Sequence, residues 1–271
     1  MLRKGDLTQG GIITTLLQFT LPMLAGSLLQ QCYNIADTLI VGQWIGANAL
    51  AAVGSAYTLM VFLISILLGL SMGSGTVFSL QYGAGDLSAL RRSIYVSLLL
   101  IGTVTILLNV AVFLWLDPIL RWLQVPYDIY SLMRNYLWII FWGIVFTFLY
   151  NFYAALLRAV GDSVTPLWFL AVSVVLNIGL DLFLILVLDQ GIEGAAVATV
   201  IAQGTAASGI LLYTYKTRPE LRLHREDMCF DRSSLREITS FSTLTCVQQS
   251  VMNFGILMVQ GLVNSFGTVV M

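Results

Sequence analysis

From Thr38 to Gly85 the chain reads TLIVGQWIGANALAAVGSAYTLMVFLISILLGLSMGSGTVFSLQYGAG, with no Asp, Glu, Lys or Arg anywhere in the stretch. A membrane-spanning helix needs about 20 mostly apolar residues, so this segment holds enough lipid-compatible sequence for two passes. Gly46-Ala47-Asn48 supplies the turn between them. The same lack of charge recurs over 93–116, 135–157, 194–215 and 238–271. Overall 10% of the 271 residues are charged and 58% are hydrophobic, whereas a soluble domain carries about a quarter charged residues. Buried helices of a soluble core would still show polar faces in these windows, and they do not. The composition therefore predicts an all-α polytopic membrane protein.

Apolar runs and their breakers place helices near 12–44, 52–82, 92–116, 130–157, 163–188, 194–215 and 237–268. Turn chemistry separates them: Gly83-Ala84-Gly85-Asp86, Asp117-Pro118, Gly161-Asp162 with Pro166, and Asp189-Gln190-Gly191. Arg3 and Lys4 before an apolar stretch, followed by Ala25-Gly26-Ser27, imitate a secretory signal. The sequence stays apolar beyond those small residues as far as Ile45, which reads as an uncleaved first helix.

Lys and Arg set orientation, with acidic residues contributing little. With a cytoplasmic N-terminus, the inner segments hold Arg3, Lys4, Arg91, Arg92, Arg158, Lys216, Arg218, Arg222, Arg225, Arg232 and Arg236, and the outer ones only Arg121 and Arg134. Net charge is −1 and no basic stripe interleaved with aromatics occurs, so nucleic acid is not an expected partner. Cys32, Cys229 and Cys246 lack metal-binding spacing, and His224, the one histidine, sits in a charged loop. No cofactor is expected.

The seven helices divide into a six-helix lobe over 1–215, a charged linker over 216–236, and one further helix within 237–271. Phe241-Ser242 and Gln248-Gln249 echo Phe19-Thr20 and Gln30-Gln31, a faint sign of an internal repeat of the kind transporters carry. The expectation is a six-helix transporter lobe followed by the first helix of a second lobe that is otherwise missing. That last helix should pack poorly and leave apolar surface exposed.

Charge inside a spanning helix is expensive and usually functional. Asp37 and Asp181 each stand about seven residues before the outer end of their helices, roughly 10 Å deep at 1.5 Å per residue. Thr199 lies roughly 9 Å inside the same face by the same arithmetic. Asn34 is spaced i,i+3 from Asp37, and Asn177 i,i+4 from Asp181, so each amide shares its carboxylate's side of the helix. Carboxylate, amide and hydroxyl oxygens suit a hard cation such as Na⁺. They also suit a proton, since two carboxylates in a dehydrated site resist ionising together. The ordinary alternative is interhelical hydrogen bonding, which suffices for Asn34 alone. Gly69 with Gly73, and Gly194 with Ala198, Ala202 and Ala206, form small-residue stripes suited to close helix packing. Pro22 removes a hydrogen bond from the first helix and favours a bend there.

Five segments in order resemble the multidrug and toxic compound extrusion (MATE) transporters, and more closely their prokaryotic DinF-like branch. They are Leu21-Pro22 with Asn34-Ile35-Ala36-Asp37, the Gly83-Ala84-Gly85-Asp86 turn, Leu157-Arg158-Ala159-Val160-Gly161-Asp162-Ser163, Leu176-Asn177-Ile178-Gly179-Leu180-Asp181, and Gly194-Ala195-Ala196-Val197-Ala198-Thr199. The resemblance implies two six-helix lobes around a cavity in the bilayer of a bacterial cytoplasmic membrane. It implies export of drugs or small organic cations in exchange for Na⁺ or H⁺, and no enzymatic activity. It assigns Asp37, Asn177, Asp181 and Thr199 to the cation site, makes Pro22 the bending point, and turns Gln30, Asn34 and Asn151 toward substrate.

Two rivals remain. A lipid-linked oligosaccharide flippase of related fold would call for cationic residues in the cavity to hold phosphates, and no Lys or Arg lies mid-membrane here. Gly83-Ala84-Gly85-Asp86 also matches the GxGD pattern of intramembrane aspartyl proteases, which need two carboxyls meeting inside the membrane. Asp86, five residues before Arg91-Arg92, belongs at the cytoplasmic interface instead.

Overall fold

The computed structural model describes residues 12–224, 227 and 231–266. Arg3, Lys4, Arg225 and Cys229, used above for orientation and cysteine chemistry, lie outside them. In chain order the helices are α1 (Ile12–Trp44), α2 (Ala47–Gly83), α3 (Leu87–Trp122), α4 (Tyr127–Trp142), α5 (Ile144–Ala159), α6 (Val164–Leu182), α7 (Gly191–Thr217) and α8 (Arg232–Ser265). A π-helical turn, Phe183–Val187, extends α6, and a 3₁₀ turn, Pro219–Leu221, follows α7. By length and apolarity α2, α3, α6 with its π turn, α7 and α8 each qualify as a membrane span, and α4 with α5 makes a sixth. α1 runs beside them as a 33-residue helix.

Several boundaries differ from the sequence reading, with α2 and α3 each starting five residues early, at Ala47 and Leu87, and three of the differences have a clear local reason. Asp117-Pro118 does not end α3. The helix bends at Trp115 (φ −116°, ψ 17°) and continues to Trp122, because proline frees the carbonyl four residues back and kinks a helix that packing keeps together. The expected single helix 130–157 is two helices meeting at 49° around Gly143. A β-carbon on Gly143 would stand 2.8 Å from Val200 Cγ2, so α7 packs into this corner. Finally, α8 starts at Arg232 rather than 237, because the Asp231 carboxylate caps it by accepting from the Ser233 and Ser234 backbone N–H groups (3.0 and 3.1 Å).

α2 is the central post, packed against α3, α4, α5 and α8. Its Leu67 and Phe78 are fully buried with Leu90, Ile94, Leu137, Phe141 and Phe152, and Phe78 meets Phe152 edge-on at 5.9 Å between ring centroids. Ion pairs tie one end of the bundle: Arg218 to Asp162 at 3.2 Å and Arg91 to Asp227 at 3.0 Å. This basic end gathers the α2–α3 and α5–α6 turns, the end of α7 and the start of α8. The opposite, far end carries Arg134 on Asp117 at 2.9 Å. The basic asymmetry in the sequence therefore maps onto the two ends of the bundle.

α8 corrects one expectation and meets another. It does not pack poorly: it lies antiparallel along α2, and a β-carbon on Gly69 or Gly73 would overlap the α8 backbone at Cys246 and Ser242. The glycine stripe read from the sequence is thus the seat of α8. Its remaining faces expose Leu244, Val247, Val251, Ile256, Val259 and Leu262.

Candidate cation-binding site

Asp37 reaches the site from α1, Asn177 and Asp181 from adjacent turns of α6, and Thr199 from α7. α1 packs on α6, and α6 on α7, which brings the first helix and the consecutive pair α6 and α7 to one depth. All four residues are buried: Asp37 is 7% exposed, Thr199 3%, and Asn177 and Asp181 are fully enclosed. The carboxyl groups of Asp37 and Asp181 meet within hydrogen-bonding reach of each other. Two carboxylates can make such a contact only if they share a proton or a cation offsets their repulsion.

The Asn177 amide is oriented by its neighbours. With its nitrogen toward Asp181, Nδ2 donates to Oδ2 at 3.1 Å and Oδ1 accepts from the Thr199 N–H at 3.3 Å. The reverse orientation offers only a 3.4 Å donation to Thr199 Oγ1 and turns the amide oxygen on acceptors. The first is the physically sound arrangement. Apart from the mutual contact, Asp37 Oδ1 and Asp181 Oδ1 are buried without a hydrogen-bond donor, and neither residue forms an ion pair among the described residues. Unsatisfied buried carboxylate oxygens are costly, and a hard cation or a proton is what would satisfy them.

Two residues join the group that the sequence reading passed over. Tyr33, one turn before Asp37 on α1, shares a 3.1 Å hydrogen bond with Thr199 Oγ1. Tyr136 of α4 is buried within electrostatic reach of Asp37, Asp181 and Tyr33. The i,i+4 spacing of Tyr33 from Asp37 was a usable signal. Tyr136 sits in an apolar window and gave none. The polar line continues along α7 to Gln203, one turn past Thr199, whose Oε1 accepts from Thr147 Oγ1 at 2.5 Å.

The remaining sequence candidates stand elsewhere. Asn34 turns from the carboxylates to α2: its Nδ2 donates to Tyr57 Oη at 3.2 Å and to Gln31 Oε1 at 3.4 Å. Its shared side with Asp37 is therefore not a shared site. Gln30 is exposed on α1, and half-buried Asn151 donates to the Thr147 carbonyl of its own helix at 2.8 Å. Pro22 lies within an unbroken α1, among exposed Leu17, Leu21 and Leu24. Asp86 is exposed and caps α3, accepting from Ala89 N–H at 2.9 Å and Ser88 Oγ at 2.7 Å. Its carboxylate is a helix cap, and the partner of Asp37 is Asp181.

The MatE family model matches residues 22–183, a stretch that contains Pro22, Asp37, Asn177 and Asp181. The chain is 34% identical over 262 residues to the probable multidrug resistance protein YpnP of Bacillus subtilis, covering 97% of this chain and 58% of that protein. It superimposes on the Vibrio cholerae MATE transporter VcmN in the bent form with a TM-score of 0.82 at 26% identity, covering 95% of this chain and 58% of the other. A MOP superfamily transporter from Pyrococcus furiosus shares the fold at a TM-score of 0.87 and 22% identity, over 94% of this chain and 57% of that one. The chain thus spans little more than half the length of the proteins it matches. With a family model matched over most of its length and its fold shared with solved transporters, the chain belongs to the MatE family, the multidrug and toxic compound extrusion transporters.

Proposed function

We propose that this chain forms the ion-coupling lobe of an antiporter that exports drugs or small organic cations in exchange for Na⁺ or H⁺. The carrying observation is the buried contact of Asp37 with Asp181, lined by Asn177 and Thr199 and lacking a fixed cation. A permanent Lys or Arg would neutralise such a pair for good, whereas a mobile ion can come and go. Ion entry would separate the carboxylates' charges, and ion loss would demand a proton on one of them. The two states differ by α1 contacts on α6 and α7, which couples occupancy to the position of α1.

In this reading the basic end faces the cytoplasm, following the excess of basic residues there. Substrate would lie along the polar α1–α2 side that carries Gln30, Asn34 and Tyr57, with Asn151 contributing from α5. A second helical body, in keeping with the extra length of the relatives, would complete the cavity and continue from α8. Pro22 would be the bending point of α1. Its exposed surroundings offer little packing to resist a bend, and a relative is known in a bent form. The test is transport of a fluorescent organic cation by the full-length product in vesicles under separately imposed Na⁺ and pH gradients. Efflux driven by at least one gradient is expected, and efflux indifferent to both would overturn the reading.

A further inference from the structure

The α2–α8 pair is held differently at its two ends. Toward the basic end, Gly69 and Gly73 admit the α8 backbone directly, and Ser242 Oγ donates to the Leu70 carbonyl at 3.1 Å. Midway, Phe62 and Phe254 meet at 5.7 Å between centroids. At the far end the contact is a polar cluster on Asn264, which is 1% exposed. Its Oδ1 accepts from Ser55 Oγ (3.2 Å) and Gln260 Nε2 (2.9 Å), and Gln260 Nε2 also donates to Ser55 Oγ at 3.1 Å. Asn264 Nδ2 donates to the Leu123 carbonyl at 3.0 Å, one of the carbonyls left without a helical partner where α3 ends.

Apolar helices gain nothing from water exclusion when they associate in lipid, so close packing and hydrogen bonds hold them together. Separating the glycine end would forfeit backbone-level packing with nothing to replace it. The far end is replaceable. Ser55 could turn back on its own helix, as Ser65 and Ser74 of α2 do onto Phe62 and Leu70 carbonyls. Gln260 and Asn264 lie in the last turns of α8 and the Leu123 carbonyl at the end of α3, where, once the helices part, water can take over their hydrogen bonds.

The geometry points to a polar latch: Ser55, Gln260 and Asn264, closed on the Leu123 carbonyl, hold the far ends of α2 and α8 together and release before the glycine contact does. Its use as a gate rests on the transporter reading; its existence does not. The latch admits substrate to, or releases it from, the far side of the cavity while the basic end stays shut.

Distances between spin labels in the full-length product in lipid nanodiscs test this. In a Cys32→Ala, Cys229→Ala, Cys246→Ala background, one label pair replaces Leu50 and Leu262 at the far end, and a second replaces Leu80 and Thr239 at the basic end. Asn264→Ala should enlarge the far-end separated population by roughly threefold per hydrogen bond lost, with the basic-end distribution unchanged. Ser55→Ala should do the same more mildly, and it carries the test if Asn264→Ala does not assemble. Unchanged far-end distances in an assembled variant, or equal broadening at both ends, would overturn the latch. Far-end opening without any drug efflux would leave the latch standing and count against the transporter reading.

Discussion

Carboxylates at the bundle ends and those in its middle are treated in opposite ways. At the basic end Asp162 is neutralised by Arg218 at 3.2 Å and accepts from the Thr165 N–H and hydroxyl (3.1 and 2.9 Å). At the far end Asp117 accepts from Arg134 and Tyr130, both at 2.9 Å. In the middle, Asp37 and Asp181 have each other, one amide and two orphaned oxygens. The end carboxylates are complete as structure. The central pair is electrostatically unfinished, which the proposed mobile-ion site requires and a strut does not.

The sharpest way to break this contrast is to give the central pair a fixed cation. Thr199→Lys should place an ammonium beside Asp181, pair the carboxylates permanently and abolish gradient-driven efflux while the protein still assembles. Efflux that survived in an assembled Thr199→Lys protein would mean the pair needs no mobile ion. The converse change strips an end carboxylate of its partner. Arg218→Ala leaves Asp162 buried and unpaired, and should cost about 3 kcal/mol of stability, read as a lowered unfolding midpoint in detergent. Ion coupling in the surviving protein should stay normal.

Pro22→Ala restores a backbone hydrogen bond in α1. It should slow turnover more than it weakens ion binding, measured by comparing efflux rate with Na⁺ or proton affinity. A smaller effect belongs to the cap of α8. The Ser234 hydroxyl and the Ser233 and Ser234 N–H groups hold the Asp231 carboxyl below the ordinary carboxylate range. A depressed value means stabilisation that is full above the unfolded carboxyl value, about 4, and lost as pH falls through the folded one. Protection of the amides in the first turn of α8, taken relative to their intrinsic exchange rate at each pH, should therefore fall on acidification, and Asp231→Ala should remove that dependence. Asp189→Asn, in the far-end turn before α7, should change neither coupling nor stability.

The layer of Asp37, Asp181 and Thr199 was legible in the sequence because helical rise converts residue counts into depth, and charge in a spanning helix costs too much to be incidental. Direction around the helix axis was not legible. Asn34 and Asp37 share a broad side of α1, yet one faces Tyr57 on α2 and the other faces Asp181 on α6. Hydropathy marked the helix windows but not the breaks inside apolar sequence. The break between α4 and α5 falls at Gly143, where a β-carbon would crowd Val200 of α7, a tertiary contact with no local mark beyond one glycine. Pro118 had a strong local mark that packing overrode. The Gly69 and Gly73 stripe announced a close neighbour without naming it, and the neighbour is α8.

The most direct test of the central claim uses Asp37→Asn, which keeps side-chain size and hydrogen bonding while deleting one charge of the pair. Full-length protein carrying Asp37→Asn would be placed in vesicles at matched amounts with the wild type, and drug efflux followed under imposed Na⁺ and pH gradients. The expected result is a folded, inserted protein whose efflux no longer responds to either gradient, with Asp181→Asn behaving alike. Efflux coupled to the gradient as in the wild type would contradict it.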